Sequence, residues 1–331
     1  MSNLTYKKAG VDISGADHWV NTIQEILSKR KADPRVVSGV GGFSGLMRLC
    51  GDLVISGCCD GVGTKVEIAR ACGIYDGLGQ DLVAMNVNDL ITTGAKPLFF
   101  LDYIACGALN ENMMAAVVKS VVESCEYCGC VLLGGETAQM PGVYSKESFD
   151  LAGFAVGYQK ESEIINGSTV KEGDVLIGLH SSGIHSNGYT LVRNALKKEI
   201  ADDLNKEGPV KGETLGKTLM TPTRLYVPQM LAATKTGKVK AMAHITGSGL
   251  IGNINRVIPA PCVCELSYDW PRPAIFDFIA ARGVSEEEMR NVFNLGIGYV
   301  FIVAPEDEEE VSKVLAGIGE KPRRIGRVVK K

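Results

Sequence analysis

The residues with the greatest chemical potential lie beside clusters of glycine. The chain has 39 glycines against 12 prolines, and glycine lets a ligand approach the backbone closely. Five clusters combine glycine with acids, hydroxyls or histidines: residues 39–45, 60–65, 134–137, 181–188 and 244–249. Most of them follow an apolar run, where turn glycines free backbone N–H groups for phosphate. A single cluster is equally consistent with a tight turn, but five together predict loops that bind a phosphorylated ligand.

Two familiar phosphate-binding motifs do not account for these clusters. In residues 60–65 the threonine precedes the lysine, whereas a P-loop requires lysine followed by serine or threonine. Residues 247–252 match G-x-G-x-x-G, but they lie too close to the end of the sequence to leave room for a dinucleotide-binding domain. The sequence therefore favours neither a P-loop nor a dinucleotide fold.

Four carboxylates are candidates for holding the magnesium ion that accompanies a nucleotide polyphosphate: Asp60, Asp81, Asp89 and Glu136. A helix over residues 81–90 places Asp81, Asn88 and Asp89 on one face, within an arc of about 100°. Such a stripe faces either solvent or a polar site. The sequence leaves both alternatives open.

Two of the four histidines, His185 and His244, lie inside glycine clusters. A histidine in such a loop is suited to act as a general acid or as a donor to phosphate. The alternative is a packed, hydrogen-bonded ring. His180 ends a predicted strand and is expected to be packed, and His18 lies in an early polar segment.

The elements that position these residues alternate between strand and helix. Short apolar runs predict strands at residues 53–56, 98–104, 131–133, 151–156, 175–179, 239–245 and 299–303. Helical patterns lie at residues 76–93, 110–127, 186–199, 223–236, 285–291 and 305–318. This interleaving predicts an α/β or α+β fold. A polar segment at residues 161–174 predicts two domains, residues 1–168 and 169–331.

Composition excludes several classes of protein. The hydrophobic share of 45% indicates a folded chain. The net charge of −3 argues against a nucleic-acid partner. Without a signal-peptide core or a run of about 18 apolar residues, the protein is expected to be cytoplasmic and without a membrane partner. The ten cysteines are expected to be free thiols, because Cys125, Cys128 and Cys130 lack a second set of zinc ligands.

Four motifs together resemble a known enzyme family. They are DGVGTK at residues 60–65, NDLITTGAKPLFFLDY at 88–103, GGETAQMPG at 134–142 and SSGIHSNGY at 181–189. They closely resemble the phosphoribosylformylglycinamidine cyclo-ligases, also called aminoimidazole ribonucleotide synthetases. The similarity runs from residue 6 to residue 298 and so covers nearly the whole chain.

The resemblance implies both a fold and an activity. It implies that the N-terminal domains of two copies share a β-barrel in a homodimer and that the C-terminal domain is a separate α/β layer. It implies ATP as co-substrate for closing formylglycinamidine ribonucleotide into aminoimidazole ribonucleotide, a step of purine synthesis that releases ADP and phosphate. Mg²⁺ is the implied cation, with K⁺ as a second candidate.

By the same resemblance, individual residues take expected roles. The nucleotide is expected at Gly41, Gly42, Phe43, Ser44, Asp60, Gly61, Gly63, Thr64, Lys65, Gly134, Gly135 and Glu136. Its metal ion is expected at Asp60 and Asp89, with Glu136 as third ligand and Asp81 as fourth. The substrate is expected at Ser181, Ser182, Gly183, His185, Ser186, Asn187, Thr246 and Gly247. Lys65 is placed on phosphate, and His185 or His244 is expected to donate to the phosphate or substrate.

Two alternatives to a cyclo-ligase remain. Another ATP-dependent kinase or synthetase of the same superfamily would release a stable phosphoester instead of a ring. A non-catalytic nucleotide-binding subunit should have lost acids or histidines from its glycine loops, and none is lost here. The intact residues 181–188 favour the cyclo-ligase.

Overall fold

The computed structural model describes residues 4–331, which form two β-sheets with packed helices. The strands are β1 Val36–Ser38, β2 Gly45–Cys50, β3 Leu53–Gly61, β4 Lys96–Cys106, β5 Val131–Gln139, β6 Phe149–Lys160, β7 Val175–His180, β8 Val239–His244, β9 Cys262–Leu266, β10 Ile297–Val303 and β11 Arg323–Lys330. The helices are α1 Ile13–Ser28, α2 Lys65–Cys72, α3 Leu78–Leu90, α4 Glu111–Tyr127, α5 Tyr189–Ala195, α6 Lys197–Asp202, α7 Leu215–Leu219, α8 Val227–Thr234, α9 Gly249–Asn255, α10 Ala274–Ala280, α11 Glu286–Val292 and α12 Glu308–Gly317. The mixed α/β fold class is confirmed.

The first sheet has the order β1-β2-β3-β6-β4-β5, antiparallel except for the parallel pair β4–β5. Along β6 buried and more accessible residues alternate, because successive side chains point to opposite faces. Leu151 and Ala155 point towards the core, whereas Phe154 and Tyr158 stay partly exposed on the outer face. One face of this sheet is therefore covered by helices and the other is open.

The second sheet has the order β8-β10-β7-β11-β9 and is antiparallel throughout. Every residue of its β10 is buried, as expected for a strand covered on both faces. Residue 168 lies between the two sheets, and the division of the chain there stays a prediction. Within the described residues, no helix is long and apolar enough to cross a membrane.

Helix α3 connects the two halves. It packs on β3 and β6 of the first sheet and also contacts β8 of the second. Close packing against α4 requires a glycine at position 79, because a Cβ there would lie 2.3 Å from the carbonyl oxygen of Val117. The polar stripe of α3 faces the second half of the chain, where Asn88 donates to the Arg224 carbonyl and Asp89 accepts from His244. This excludes the solvent-exposed alternative.

One predicted helix was wrong. The pattern at residues 186–199 indicates a single helix, but residues 186–188 form a loop and the remainder divides into α5 and α6 at Leu196. Gly188, with φ +83°, precedes α5 in the left-handed region, which favours glycine. This delayed start leaves residues 186–188 free to line a cavity.

Candidate active site

A cavity of about 480 Å³ lies where the end of β3 meets the loop before α5. Its lining comprises Tyr6, Cys59, Asp60, Gly61, Val62, Gly63, Thr64, Asp150, Leu151, Ala152, Ser186, Asn187, Gly188, Tyr189 and Thr190. The hydroxyls of Thr64 and Thr190 are 2.9 Å apart and join the two loops. The structure thus brings together two glycine motifs that are more than 120 residues apart in sequence.

Asp60 is held at this cavity by Asn86 of α3. The Asn86 amide oxygen accepts from the Asp60 backbone N–H at 2.8 Å, and its amide nitrogen donates to the Asp60 carbonyl at 3.1 Å. Burial and, after it, the nearby Asp89 charge raise the pKa of the Asp60 carboxyl to about 6. Two carboxylates that repel each other form a site where a cation is favoured.

The neighbouring Asp89 is oriented by His244. His244 Nδ1 donates to the Asp89 carboxylate at 2.8 Å, and its Nε2 accepts from Asn88 Nδ2 at 3.4 Å. The ring is fully buried. Because both ring nitrogens are engaged, the geometry does not support His244 as a donor to phosphate or substrate, and it orients a carboxylate instead.

The pair of carboxylates fits magnesium. The described residues contain no group of three or more histidine, cysteine, aspartate or glutamate side chains suited to a metal ion. Magnesium commonly uses only one or two protein carboxylates, with substrate phosphates and water completing its octahedron. Asp60 and Asp89 match that requirement, so they are the residues of this chain that would hold it.

Lys65 and Asp81 correct two expectations. Both side chains are fully buried, and they form an ion pair with Lys65 Nζ 2.8 Å from Asp81 Oδ2. Lys65 also donates to the carbonyl oxygens of His185 at 3.0 Å and Thr221 at 2.8 Å. With these bonds the ammonium has no donor left for phosphate. Asp81 is equally closed to a metal ion in this arrangement.

Glu136, Gly134 and Gly135 also differ from expectation. They do not form a loop but lie within β5, the edge strand of the first sheet. Asp60 of β3 pairs with β6, β6 pairs with β4, and β4 pairs with β5 at Gly135. Three strand spacings, or about 14 Å, therefore separate Asp60 from Gly135. Glu136 therefore cannot share a metal ion with Asp60 within one chain.

Among the described residues, His185 has a ring nitrogen without a hydrogen-bond partner, whereas both ring nitrogens of His244 are bonded. His185 Nε2 accepts from the backbone N–H of Ser182 at 3.2 Å, and its buried Nδ1 has no hydrogen-bond partner among residues 4–331. Burial holds the pKa of His185 well below its ordinary value, and the nearby Lys65 and Arg224 charges lower it further. The residue also has a left-handed backbone, with φ +70°.

The other predicted substrate residues separate into two groups. The hydroxyls of Ser181 and Ser182 donate to Gly183 O and Pro222 O and serve the loop itself. Asn187 lines the cavity, and its buried Oδ1 has no hydrogen-bond partner within the described part of the chain. Of the residues predicted to bind substrate, Asn187 is the one with an unused acceptor at the cavity.

Residues 41–44 lie against the second half of the chain. Gly41 and Gly42 are exposed, but Phe43 is buried in the core beneath the second sheet, and the Ser44 hydroxyl accepts from Ser56. The Arg256 guanidinium lies 4.0 Å from the centre of the Phe43 ring and donates to Gly42 O. This anchoring leaves only the glycine backbone available for a nucleotide.

Thr246 and Gly247 follow strand β8 and differ in their surroundings. The Thr246 hydroxyl donates to Asn253 Oδ1 at 3.0 Å, and Asn253 Nδ2 donates back to Thr246 O. Gly247 lies near the cavity loop, since a Cβ there would be 3.7 Å from Asn187 Nδ2. Only Gly247 of this pair thus approaches the cavity.

Family models match both halves of the chain. Residues 41–159 match AIR synthase related protein, N-terminal domain, and residues 171–331 match its C-terminal domain. A phosphoribosylformylglycinamidine cyclo-ligase from Myxococcus xanthus is 48% identical over 333 residues, covering 98% of this chain and 95% of the relative. One from Carboxydothermus hydrogenoformans is 46% identical, covering 99% and 97%. The chain belongs to this cyclo-ligase family.

Solved structures share the fold of this cyclo-ligase family member at low sequence identity. AaThiL, solved in complex with AMPPCP and TMP, has a TM-score of 0.69 and 16% identity, covering 97% of this chain and 93% of AaThiL. The hydrogenase maturation protein HypE, solved in complex with ATP, has a TM-score of 0.64 and 17% identity, covering 97% and 88%. These matches support the two-domain fold.

Three residues that hold predicted site residues in place were missed from sequence: Asn86 at Asp60, Thr223 at Asp81 and Arg256 at Gly42. Asn86 stands out as an amide within the apolar helix α3 and is fully buried. A buried amide needs hydrogen-bond partners, so its position in an apolar stretch was a usable signal. Thr223 lies far from any glycine cluster, Arg256 lies at the end of the helical segment that follows the last cluster, and no local pattern marks either residue.

Proposed function

We propose that the chain uses ATP to close formylglycinamidine ribonucleotide into aminoimidazole ribonucleotide, releasing ADP and phosphate. The observation that carries this proposal is the cavity that Asp60 lines together with Asn187, with the Asp89 charge close to Asp60. Its acids suit a metal-bound triphosphate, and its amide and hydroxyls suit a sugar phosphate. The names of the two relatives, both cyclo-ligases, agree with this reaction.

The reaction requires activation of an amide oxygen, which is a very poor leaving group. Transfer of the terminal phosphoryl group of ATP to the formyl amide oxygen gives an iminophosphate. The neighbouring amine then attacks the same carbon, the ring closes and phosphate leaves. The chain forms no covalent bond in this sequence, so its contribution is positioning and charge stabilisation.

The nucleotide is held by backbone and carboxylates. Gly63 and Thr64 line the cavity just before α2, and the glycine there lets phosphate oxygens approach the backbone closely. Asp60 and Asp89 would hold Mg²⁺, which neutralises charge on the triphosphate. Asn187 and Thr190, which line the side of the cavity formed by the loop before α5 and the start of α5, would bind the ribonucleotide.

A homodimer is part of the proposal. The outer face of the first sheet exposes Leu133, Phe154 and Tyr158. An apolar sheet face of this kind is typical of a surface that another protein covers. A second copy placed there would complete a barrel of the kind that the family resemblance implies.

The test is incubation of the purified chain with ATP, Mg²⁺ and formylglycinamidine ribonucleotide, with aminoimidazole ribonucleotide and ADP measured together. Equal amounts of the two products are expected. ADP without aminoimidazole ribonucleotide would indicate the kinase alternative. If the folded protein forms neither product, the proposed function is wrong.

A further inference from the structure

Lys65 and Asp81 form an ion pair that is closed to solvent. Their side chains are fully buried, and Lys65 Nζ lies 2.9 Å and 2.8 Å from the two carboxylate oxygens. Removing two charges from water is costly unless the remaining donors and acceptors are also satisfied. The partners of this pair therefore indicate what it holds in place.

Those partners lie in the second half of the chain. Lys65, the first residue of α2, donates to the carbonyls of His185 and Thr221. Asp81 Oδ1, on α3, accepts from the Thr223 backbone at 2.7 Å, from the Thr223 hydroxyl at 2.7 Å and from the Ser186 hydroxyl at 3.1 Å. One charged pair thus anchors two loops of the opposite domain.

The first of these loops has a strained backbone. His185 has φ +70°, which is unfavourable for a residue with a side chain. Such a conformation persists only where its surroundings fix it. Lys65 binds the carbonyl of this residue, and Asp81 binds the hydroxyl of the next one. Asn187 follows immediately and lines the cavity.

We propose that Lys65 and Asp81 are positioning residues. They hold the backbone of residues 185–187 so that Asn187 lies opposite Asp60, and they contact neither phosphate nor metal ion. The inference deepens the proposed function, on which its turnover readout rests. The placement of the loop can be measured without turnover.

The test is the double variant Lys65→Met/Asp81→Asn, which removes both charges at similar volume. Removing both partners of a buried ion pair costs less than removing one of them, so we expect the double variant to unfold at a midpoint closer to that of the parent chain than Asp81→Asn alone does. We expect kcat to fall about 100-fold, because small displacements in an active site cost that much. The KM for ATP should stay within about threefold, because no ground-state contact to ATP is lost.

A spectroscopic readout separates positioning from simple stability. The chain has only four histidines, so nitrogen-15 spectra of their rings report each one. We expect the His185 signals to shift in the double variant while those of exposed His18 stay unchanged. If the His185 signals and kcat both match the parent chain, the inference is wrong. A KM for ATP raised about tenfold or more at unchanged kcat would instead show a direct phosphate contact and would also overturn it.

A second pair of variants, both of which keep the ion pair, tests the same inference if the double variant does not fold. Thr223→Val removes one hydroxyl from Asp81 and leaves the ion pair intact, and we expect kcat to fall about tenfold. Thr223→Ser keeps the hydroxyl and should restore kcat. If Thr223→Val keeps the kcat and the His185 signals of the parent chain, the inference fails.

The matched control is Lys119→Met/Glu123→Gln, an exposed i,i+4 pair on α4. Exposed pairs contribute little, so stability, kcat and the histidine spectrum should all be unchanged. If the parent chain itself makes no aminoimidazole ribonucleotide, the proposed function fails. In that case the His185 signals still decide whether the ion pair positions the loop.

Discussion

Two aspartates of the same half, the buried Asp81 and the half-buried Asp60, differ in what surrounds their charge. Asp81 is matched by the Lys65 ammonium and by donors from Thr223 and Ser186. Asp60 faces Asp89 instead, and its pKa is raised to about 6 by burial first and by this charge second. Environment therefore separates the candidate metal ligand from the structural acid. The sequence, which shows four candidate carboxylates but not what surrounds each of them, could not make this distinction.

The first residue-scale prediction concerns Asp60→Asn. Because the pKa of Asp60 in the folded chain lies above its ordinary value, the ionised carboxyl destabilises the metal-free fold at pH above about 6. In EDTA at pH 8 we expect the variant to be more stable by about 2 kcal/mol. Turnover with Mg²⁺ should fall at least about 100-fold. Thermal unfolding and the product assay measure these two effects, and a variant that keeps both stability and turnover would remove Asp60 from the site.

The second residue-scale prediction is the opposite response of Asp81→Asn. Here the substitution leaves the buried Lys65 ammonium without its counter-charge. We expect the free energy of unfolding to fall by about 3–5 kcal/mol, as when one partner of a buried pair is removed. Urea denaturation measures it. Unchanged stability would show that the pair is dispensable to the fold.

At the scale of elements, strands with a strong apolar pattern were predictable from the sequence, whereas the direction in which a helix face points was not. The apolar runs that became β4, β7 and β10 are strand-like in the sequence alone. The polar stripe of α3 is equally compatible with solvent or a second domain, and only tertiary packing decides between them. From the sequence Gly135 is predicted to lie in a loop, yet β5 needs a glycine there because a Cβ would lie 2.5 Å from the backbone oxygen of Asp102. Glycine count does not distinguish a turn from a close approach.

The packing of α3 on α4 gives a prediction for Gly79→Ala. A Cβ at this position would lie 2.3 Å from Val117 O and 2.4 Å from Val121 N, and the backbone of α4 cannot turn aside as a side chain could. The helices must separate, and overpacking of this kind costs about 1–3 kcal/mol or more. Since α3 also carries Asn86 and Asp89, turnover should fall together with the free energy of unfolding.

The matched control is Gly317→Ala at the last residue of α12. No atom lies within 4 Å of a Cβ there, and alanine is a better helix former than glycine. The variant should be as stable as the parent chain or more stable by up to about 1 kcal/mol. If both glycine variants unfold at the same denaturant concentration, close packing of α3 on α4 is not what requires Gly79.

For the whole molecule, the main asymmetry is between the two faces of the first sheet. Its inner face packs on helices, while its outer face leaves Leu133 63%, Phe154 44% and Tyr158 38% exposed. These residues lie on different strands or at different levels of one strand, so they form a broad surface instead of isolated positions. A face of that kind is expected to be covered in solution.

Phe154→Glu tests whether a second copy covers this face. Phe154 lies on β6, an interior strand of the sheet, and as a partly exposed side chain it contributes little to the stability of a single chain. In a dimer across this face the substitution buries an unpaired carboxylate from each copy, which costs several kcal/mol. We therefore expect sedimentation velocity to show a shift from dimer to folded monomer. Ile318→Glu, an equally exposed apolar residue in the second half, should leave the dimer intact. A parent chain that sediments as a monomer, or a Phe154→Glu variant that stays dimeric, would place any partner elsewhere.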